Sequence, residues 1–369
     1  MTRRRRLLAV VTAALAVAAA GCSAPDRGSW ATAATAEEGG GFAALVEAAQ
    51  AEGVLNVIAL PPQWAGYGGI VARFQEEYGI TVRSADPAGS SQDEIDAVRA
   101  LGTQDTAPDV LDLGRSYAEQ HTDLFAPYRV RTWDTVPAAN RHPEGAWVDG
   151  YGGYVSLGCN AEVVEVCPQS LADLARPEYE GSVALNGDPT TSASAFAGVW
   201  AGALAGGGSL DDIAPGLAFF GDLAARGNLQ LVDPTPATIE SGATPIVLDW
   251  DYVNVPQAEQ VAERFAWEVV VPADGVFAQY YSQAVNADAP HPAAARLWQE
   301  FLYSDEGQNL WLAGRTRPVR LDALIAAGAA DPALLAALPA VGDAPPVPTP
   351  AQIGAAQQAV TGGWAAATS

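Results

Sequence analysis

Short apolar runs followed by stretches of helical period recur along this chain, and that alternation restricts it to one class of fold. Residues 54–60 read Val-Leu-Asn-Val-Ile-Ala-Leu after Gly53, the form of a buried parallel strand. Tyr67, Ile70, Val71, Phe74 and Tyr78 then recur at helical spacing until Gly79 stops them. A second strand over 80–84, a second helix over 92–101 and a third strand over 109–113 continue the pattern. Strand and helix in turn predict an α/β chain whose parallel sheet is covered by helices. Ligands of such sheets bind beyond the carboxyl ends of the strands, which places Trp64, Tyr67, Ser90, Ser91 and residues 114–117 along one rim.

An aromatic, turn-rich stretch at 126–154 and an extended crossing segment at 151–157 lead to a second unit of the same kind. A short helix is expected over 171–175. The strand at 182–185 then runs through Asn186, Asp188, Thr190, Thr191 and Ser192 into a small-residue helix at 193–205. Hydroxyls at a helix N-terminus suit an anion or carbonyl as well as they suit ordinary capping. Helices are expected over 213–226 and over 235–241, where Thr235 and Pro236 fit the cap and first position.

Residues 245–252 read as a buried strand whose apolar part ends in Asp249, Trp250, Asp251 and Tyr252. Carboxylates interleaved with aromatics are costly to bury without a partner, and an aromatic face beside a carboxylate suits an ammonium group. Residues two apart on a strand share a face, so a pocket built from Trp250, Asp251 and Tyr252 together requires the chain to leave strand geometry there. Strands over 268–272 and 275–285, the latter carrying Tyr280 and Tyr281, and helices over 292–302, 305–312 and 352–360 complete the chain, without an internal repeat.

The N-terminus carries a different signal. Arg3 to Arg6 precede a mostly apolar run over 7–20 and small residues ending in Gly21-Cys22, the pattern of an export signal. That run falls short of the roughly 20 residues a bilayer span needs. The small residues before Cys22 resemble the lipobox of bacterial lipoproteins, although Ala19 stands where that family usually has leucine. The resemblance implies cleavage after residue 21 and lipid on the Cys22 thiol, hence an extracytoplasmic body held at the outer face of the cell membrane. Residues 22–41, rich in Ala, Gly, Ser, Thr and acid, read as a flexible tether. With Cys22 assigned to lipid, Cys159 and Cys167 remain in an oxidising compartment and are expected to form a disulfide.

Composition excludes several functions. All 19 basic residues are arginine, so lysine-dependent chemistry is impossible. Without the signal's four arginines, 15 basic residues stand against 43 acidic ones, a net charge of −28 that would repel nucleic acid. Its three histidines fall in no metal-ligand spacing. A carboxylate-based hydrolase using Asp249 and Asp251 is the competing class, but both acids sit on one strand end without a group from across a cleft. A binding protein with no catalytic residue, no cofactor and no metal is the reading.

The chain after the tether resembles the substrate-binding lipoproteins of bacterial ABC importers. The resemblance rests on the lipobox, on Glu-Gly-Val-Leu-Asn-Val-Ile at 52–58, on Ala-Pro-Asp-Val at 107–110, and on the closing helix at 289–308 with its Ala-Ala, Phe-Leu and Glu-Gly-Gln. It is nearest to the branch with spermidine/putrescine, ferric-iron, thiamine and phosphonate binders. It implies the two-lobed periplasmic-binding-protein fold, a ligand cleft between lobes joined by crossing strands, and a monomer that hands its solute to an ABC permease. Lobe I would be 42–153 plus 275–369 and lobe II 154–274. For a cationic or zwitterionic, polyamine-like solute the ligand residues are Trp64, Tyr67, Trp250, Asp251, Tyr252 and Tyr281, with Ser90, Ser91 and Thr190 on the rim. A phosphonate or other anion on the hydroxyls near Arg115, and ferric iron on Tyr280 and Tyr281, are the alternatives.

Overall fold

A computed structural model describes residues 28–339, 341, 345 and 347–369; the signal and Cys22 lie outside these residues. Trp30, in a short turn at Ser29–Ala31, is buried, and Arg296 donates to the carbonyls of Ala31 and Ala33 at 3.1 and 2.8 Å. The expected tether therefore ends before Ser29, because an indole carries enough apolar area to hold the segment against the body.

The first unit runs α1 (Phe42–Glu52), β1 (Val54–Ile58), α2 (Tyr67–Tyr78), β2 (Thr81–Ala85), α3 (Ser91–Leu101) and β3 (Val110–Gly114). Gly79 caps α2 at a φ of 69°, the left-handed conformation that glycine adopts without penalty. Of residues 114–117, expected on the rim, Gly114 ends β3 and the rest open α4 (Arg115–Gln120), and β4 (Phe125–Ala126) follows. The long β5 (Trp147–Asn160) is buried throughout.

The second unit comprises β6 (Val183–Leu185), α5 (Ala193–Ala205), α6 (Ala214–Ala225), β7 (Leu229–Gln230), α7 (Pro236–Glu240), β8 (Ile246–Trp250), α8 (Asp251–Val261) and β9 (Trp267–Val270). The chain returns through β10 (Ala278–Asn286), α9 (Pro292–Leu302), α10 (Asp305–Ala313), β11 (Arg317–Pro318), α11 (Leu321–Ala327), α12 (Pro332–Ala336) and α13 (Pro350–Ala367).

The sheet is mixed rather than parallel. β1 and β2 form a parallel pair, and β6 pairs in parallel with β7 and β8. β3, however, pairs antiparallel with the returning β10, a connection that local alternation does not reveal. The larger sheet runs β3-β10-β5-β8-β6-β7. β5 carries it across both units: its first half, to Tyr154, pairs with β10, and from Val155 it pairs with β8 and β9. At this crossing Gly153 has no room for a Cβ, which would collide with the Asp251 carboxylate and the Tyr252 ring. The disulfide Cys159–Cys167 is present, with Cα atoms 5.9 Å apart. α13 packs on both α4 and α6, where Trp364 meets Phe220 edge to face at 5.6 Å.

Candidate ligand-binding cleft

Loops after β1, β2, β6 and β7, the start of α3 and one face of α8 enclose a cavity of about 870 Å³. Six carboxylates line it: Asp93, Glu94, Asp112, Asp188, Asp233 and Asp249. Among the described residues no arginine or histidine shares that lining.

Three of these acids are buried. Asp112 interrupts the apolar run of β3, and its carboxylate accepts from Tyr151 Oη at 2.6 Å and Gln283 Nε2 at 2.5 Å. Burial still pushes it up to about 7. Glu94, on the inner face of α3, accepts from the Asp112 amide at 2.9 Å. Burial, and then the charge of Asp112, lift it well above the carboxylate range. Asp249, near the end of β8, accepts from its neighbour's amide at 2.7 Å and from Asn186 Nδ2 at 2.8 Å, and burial pushes it up to about 7.

Aromatic rings form the floor. Trp64 and Tyr281 line the cavity with centroids 5.4 Å apart, and Trp64 Nε1 donates to Tyr151 Oη at 2.7 Å. A relay therefore runs from the indole through Tyr151 to Asp112. Tyr67 sits behind it, fully buried, with its hydroxyl 3.2 Å from Gln283 Nε2.

Of the residues expected from sequence, the fold brings Trp64, Ser90, Ser91 and Tyr281 to the cavity. Ser90 caps α3, and Ser91 Oγ accepts from the Gly114 amide at 3.0 Å. Thr190 does not line the cavity, as its amide and hydroxyl bond Asp188 at 2.7 and 2.6 Å, whereas Thr191 and Ser192 do. Trp250 and Tyr252 lie behind the wall, stacked at 6.0 Å, with Tyr252 edge-on to Trp64.

Asp251 is turned away as well. The strand stops at Trp250, and Asp251 begins α8 with its carboxylate fully buried at the crossing. One oxygen accepts from the amides of Tyr154 and Tyr252, both at 3.0 Å, and the other pairs with Arg317 Nη1 at 2.6 Å. Asp249 and Asp251 thus face different spaces, so the pair named for a carboxylate-based hydrolase does not meet in one site. Arg115 is held by Asp149 at 2.5 Å and Glu119 at 2.8 Å, over the Trp147 ring.

Sequence reasoning missed Glu94, Asp112 and Gln257. Asp112 carried a usable signal, an acid in the middle of an apolar strand. Glu94 looked like an ordinary helix acid, and α8 itself was hidden behind Pro256.

The sequence matches the family model of bacterial extracellular solute-binding proteins over residues 105–340, and the chain belongs to that family. Proteins of this kind bind small-molecule solutes outside the cytoplasm and deliver them to ABC permeases. No curated protein is detectably similar in sequence. Among solved structures, a periplasmic thiamin binding protein superposes with a TM-score of 0.66 at 20% identity, covering 86% of this chain and 96% of its own. The binding protein AgtB from A. tumefaciens R10, in complex with agropinic acid, gives 0.65 at 17%, covering 85% and 98%. Iron-bound HitA from Pseudomonas aeruginosa gives 0.62 at 22%, covering 84% and 97%. At these identities the likeness is one of fold: two lobes with a cleft between them.

Proposed function

We propose that this protein captures a cationic, polyamine-like solute in the acidic cleft and presents it to an ABC importer. The observation that carries this reading is the cavity wall, where six carboxylates and a tryptophan stand with no basic side chain among the described residues. An ammonium placed there gains charge-assisted hydrogen bonds and an aromatic face, whereas an anion finds no counter-ion on the described lining. Asp188 in the β6–α5 loop makes the hydroxyl-rich helix start unfavourable for a phosphonate. For ferric iron, Tyr280 and Tyr281 are consecutive on β10 and therefore point to opposite faces; Tyr281 lines the cavity, while Tyr280, which burial raises to about 12, does not. Among the described residues no cluster of three His, Cys, Asp or Glu could hold a metal.

The same reading divides the lobes at the partner change on β5, with 42–153 plus 275–369 against 154–274, and anchors the body through lipid on Cys22. Among the described residues no helix is long and apolar enough to cross a membrane. A thermal-shift series with spermidine, putrescine, phosphate and aminoethylphosphonate tests the ligand class. At about 100 times its dissociation constant a ligand adds roughly 2.7 kcal/mol. Stabilisation by an amine supports the reading, and stabilisation by the anions alone contradicts it.

A further inference from the structure

Gln257 lines the cavity and is 8% exposed, yet its side chain makes no hydrogen bond among the described residues; its Nε2 is covered in this conformation, so pairing it requires the amide to turn toward the cavity. Neighbouring amides are spoken for: Asn254 donates to Ser156 Oγ at 2.9 Å and Asn186 to Asp249 at 2.8 Å. Buried amides ordinarily find partners, and one left open in a ligand cavity marks a place where the ligand supplies them.

A plain alkylammonium can donate to the amide oxygen but leaves the two N–H donors without an acceptor. The amide offers two donors and an acceptor, a pattern matched by a hydroxyl or a pair of neighbouring hydroxyls. Gln257 sits on the cavity face of α8 with Val253 and Gln260, at helical spacing, so the amide is held by a secondary-structure element rather than by a loop tip. The cavity's 870 Å³ lies near the top of the range of about 300–1,000 Å³ for small-molecule sites, more than a linear diamine fills. Trp64 adds an aromatic ring whose N–H is already committed to Tyr151.

Building on the cation reading above, we propose that the solute is a hydroxylated organic cation of the amino sugar or aminocyclitol class. Its ammonium groups lie against Glu94, Asp112 and Asp249, and its hydroxyls complete the amide of Gln257. The wall then selects twice, by charge through the acids and by acceptor content through the amide.

Calorimetric titration of the full chain at pH 8 with kanamycin, glucosamine, spermidine, putrescine, inositol and phosphate tests this. Expected is an amino sugar bound at least tenfold more tightly than spermidine. Gln257→Met should erase most of that preference while leaving spermidine affinity within about twofold. Gln257→Glu, which keeps the acceptors and removes both donors, should weaken the amino sugar and spare or strengthen spermidine. An amino sugar that fails to bind overturns the inference, as does one bound equally by the wild type and both folded variants. If spermidine binds tightly in that case, the cation reading stands alone. Binding of phosphate without any amine defeats both readings.

Discussion

The buried acids of the crossing and those of the cleft were made from the same residue types and treated oppositely. At the crossing, Asp251 pairs with Arg317 at 2.6 Å and Asp149 with Arg115 at 2.5 Å, and nearby Glu300 pairs with Arg131 at 3.1 Å. In the cleft, Glu94, Asp112 and Asp249 are equally buried, and among the described residues no arginine shares their lining. A buried charge without a counter-ion is destabilising unless it is protonated or a ligand supplies the opposite sign. On the cation reading proposed above, the two regions differ not in burial but in the counter-ion, which the crossing supplies and the cleft leaves to the solute.

The largest effect should come from breaking the crossing. Arg317→Met leaves Asp251 buried beside Tyr154 and Tyr252 without its cation, and removing one partner of such a pair costs about 3–5 kcal/mol. Urea unfolding should show that loss, and the double variant with Asp251→Asn should recover a large part of it. If Arg317→Met instead left stability unchanged and weakened amine binding, the crossing and the cleft would not be separate.

Asp249→Asn should do the reverse. A charge-assisted hydrogen bond is worth about 1.5–3 kcal/mol, so amine affinity should fall about 10- to 100-fold by calorimetry with the urea midpoint maintained or raised. A folded variant with undiminished affinity would remove Asp249 from the site.

Proton linkage sharpens the contrast. Burial raises Asp112 and Asp249 from 3.8 to about 7, so the stability they lend the empty fold is present below their ordinary range and lost as pH rises through about 7. A bound ammonium requires the ionised forms. Amine affinity should therefore fall at least tenfold from pH 8 to pH 5.5, while the empty protein gains stability from these two groups over the same interval. A flat affinity profile would mean that neither acid touches the solute.

The smallest effect is assigned to the floor. Trp64→Ala removes an aromatic face worth about 0.5–2 kcal/mol to a cation and the bond to Tyr151, so affinity should drop a few-fold to about 30-fold.

Much of the fold was legible because its signals are local. The helix from Tyr67 to its Gly79 stop, the strand before Asn186 and the caps at Ser192 and Thr235 all follow from period and turn chemistry. What failed was tertiary. Nothing near Val110 says that β3 will pair with a strand some 170 residues later, and nothing near Trp30 says that a nominal tether will be pinned by Arg296. At the site, reasoning from strand ends pointed to Trp64 and Tyr281, which line the cavity, and also to Asp249, Trp250, Asp251 and Tyr252. It could not separate Asp249 from Asp251, because the change from strand to helix falls between them and Arg317 arrives from far along the chain.

The most direct test of the central claim, that unpaired cleft acids wait for a cation, is the proton balance of binding. Calorimetric titration with spermidine or an amino sugar at pH 7, repeated in buffers of different ionisation enthalpy, reads that balance. Net release of protons, lost in the Asp112→Asn, Asp249→Asn double variant, is the result predicted. Proton uptake, or tight binding of an anion with no response to amines, would contradict the account.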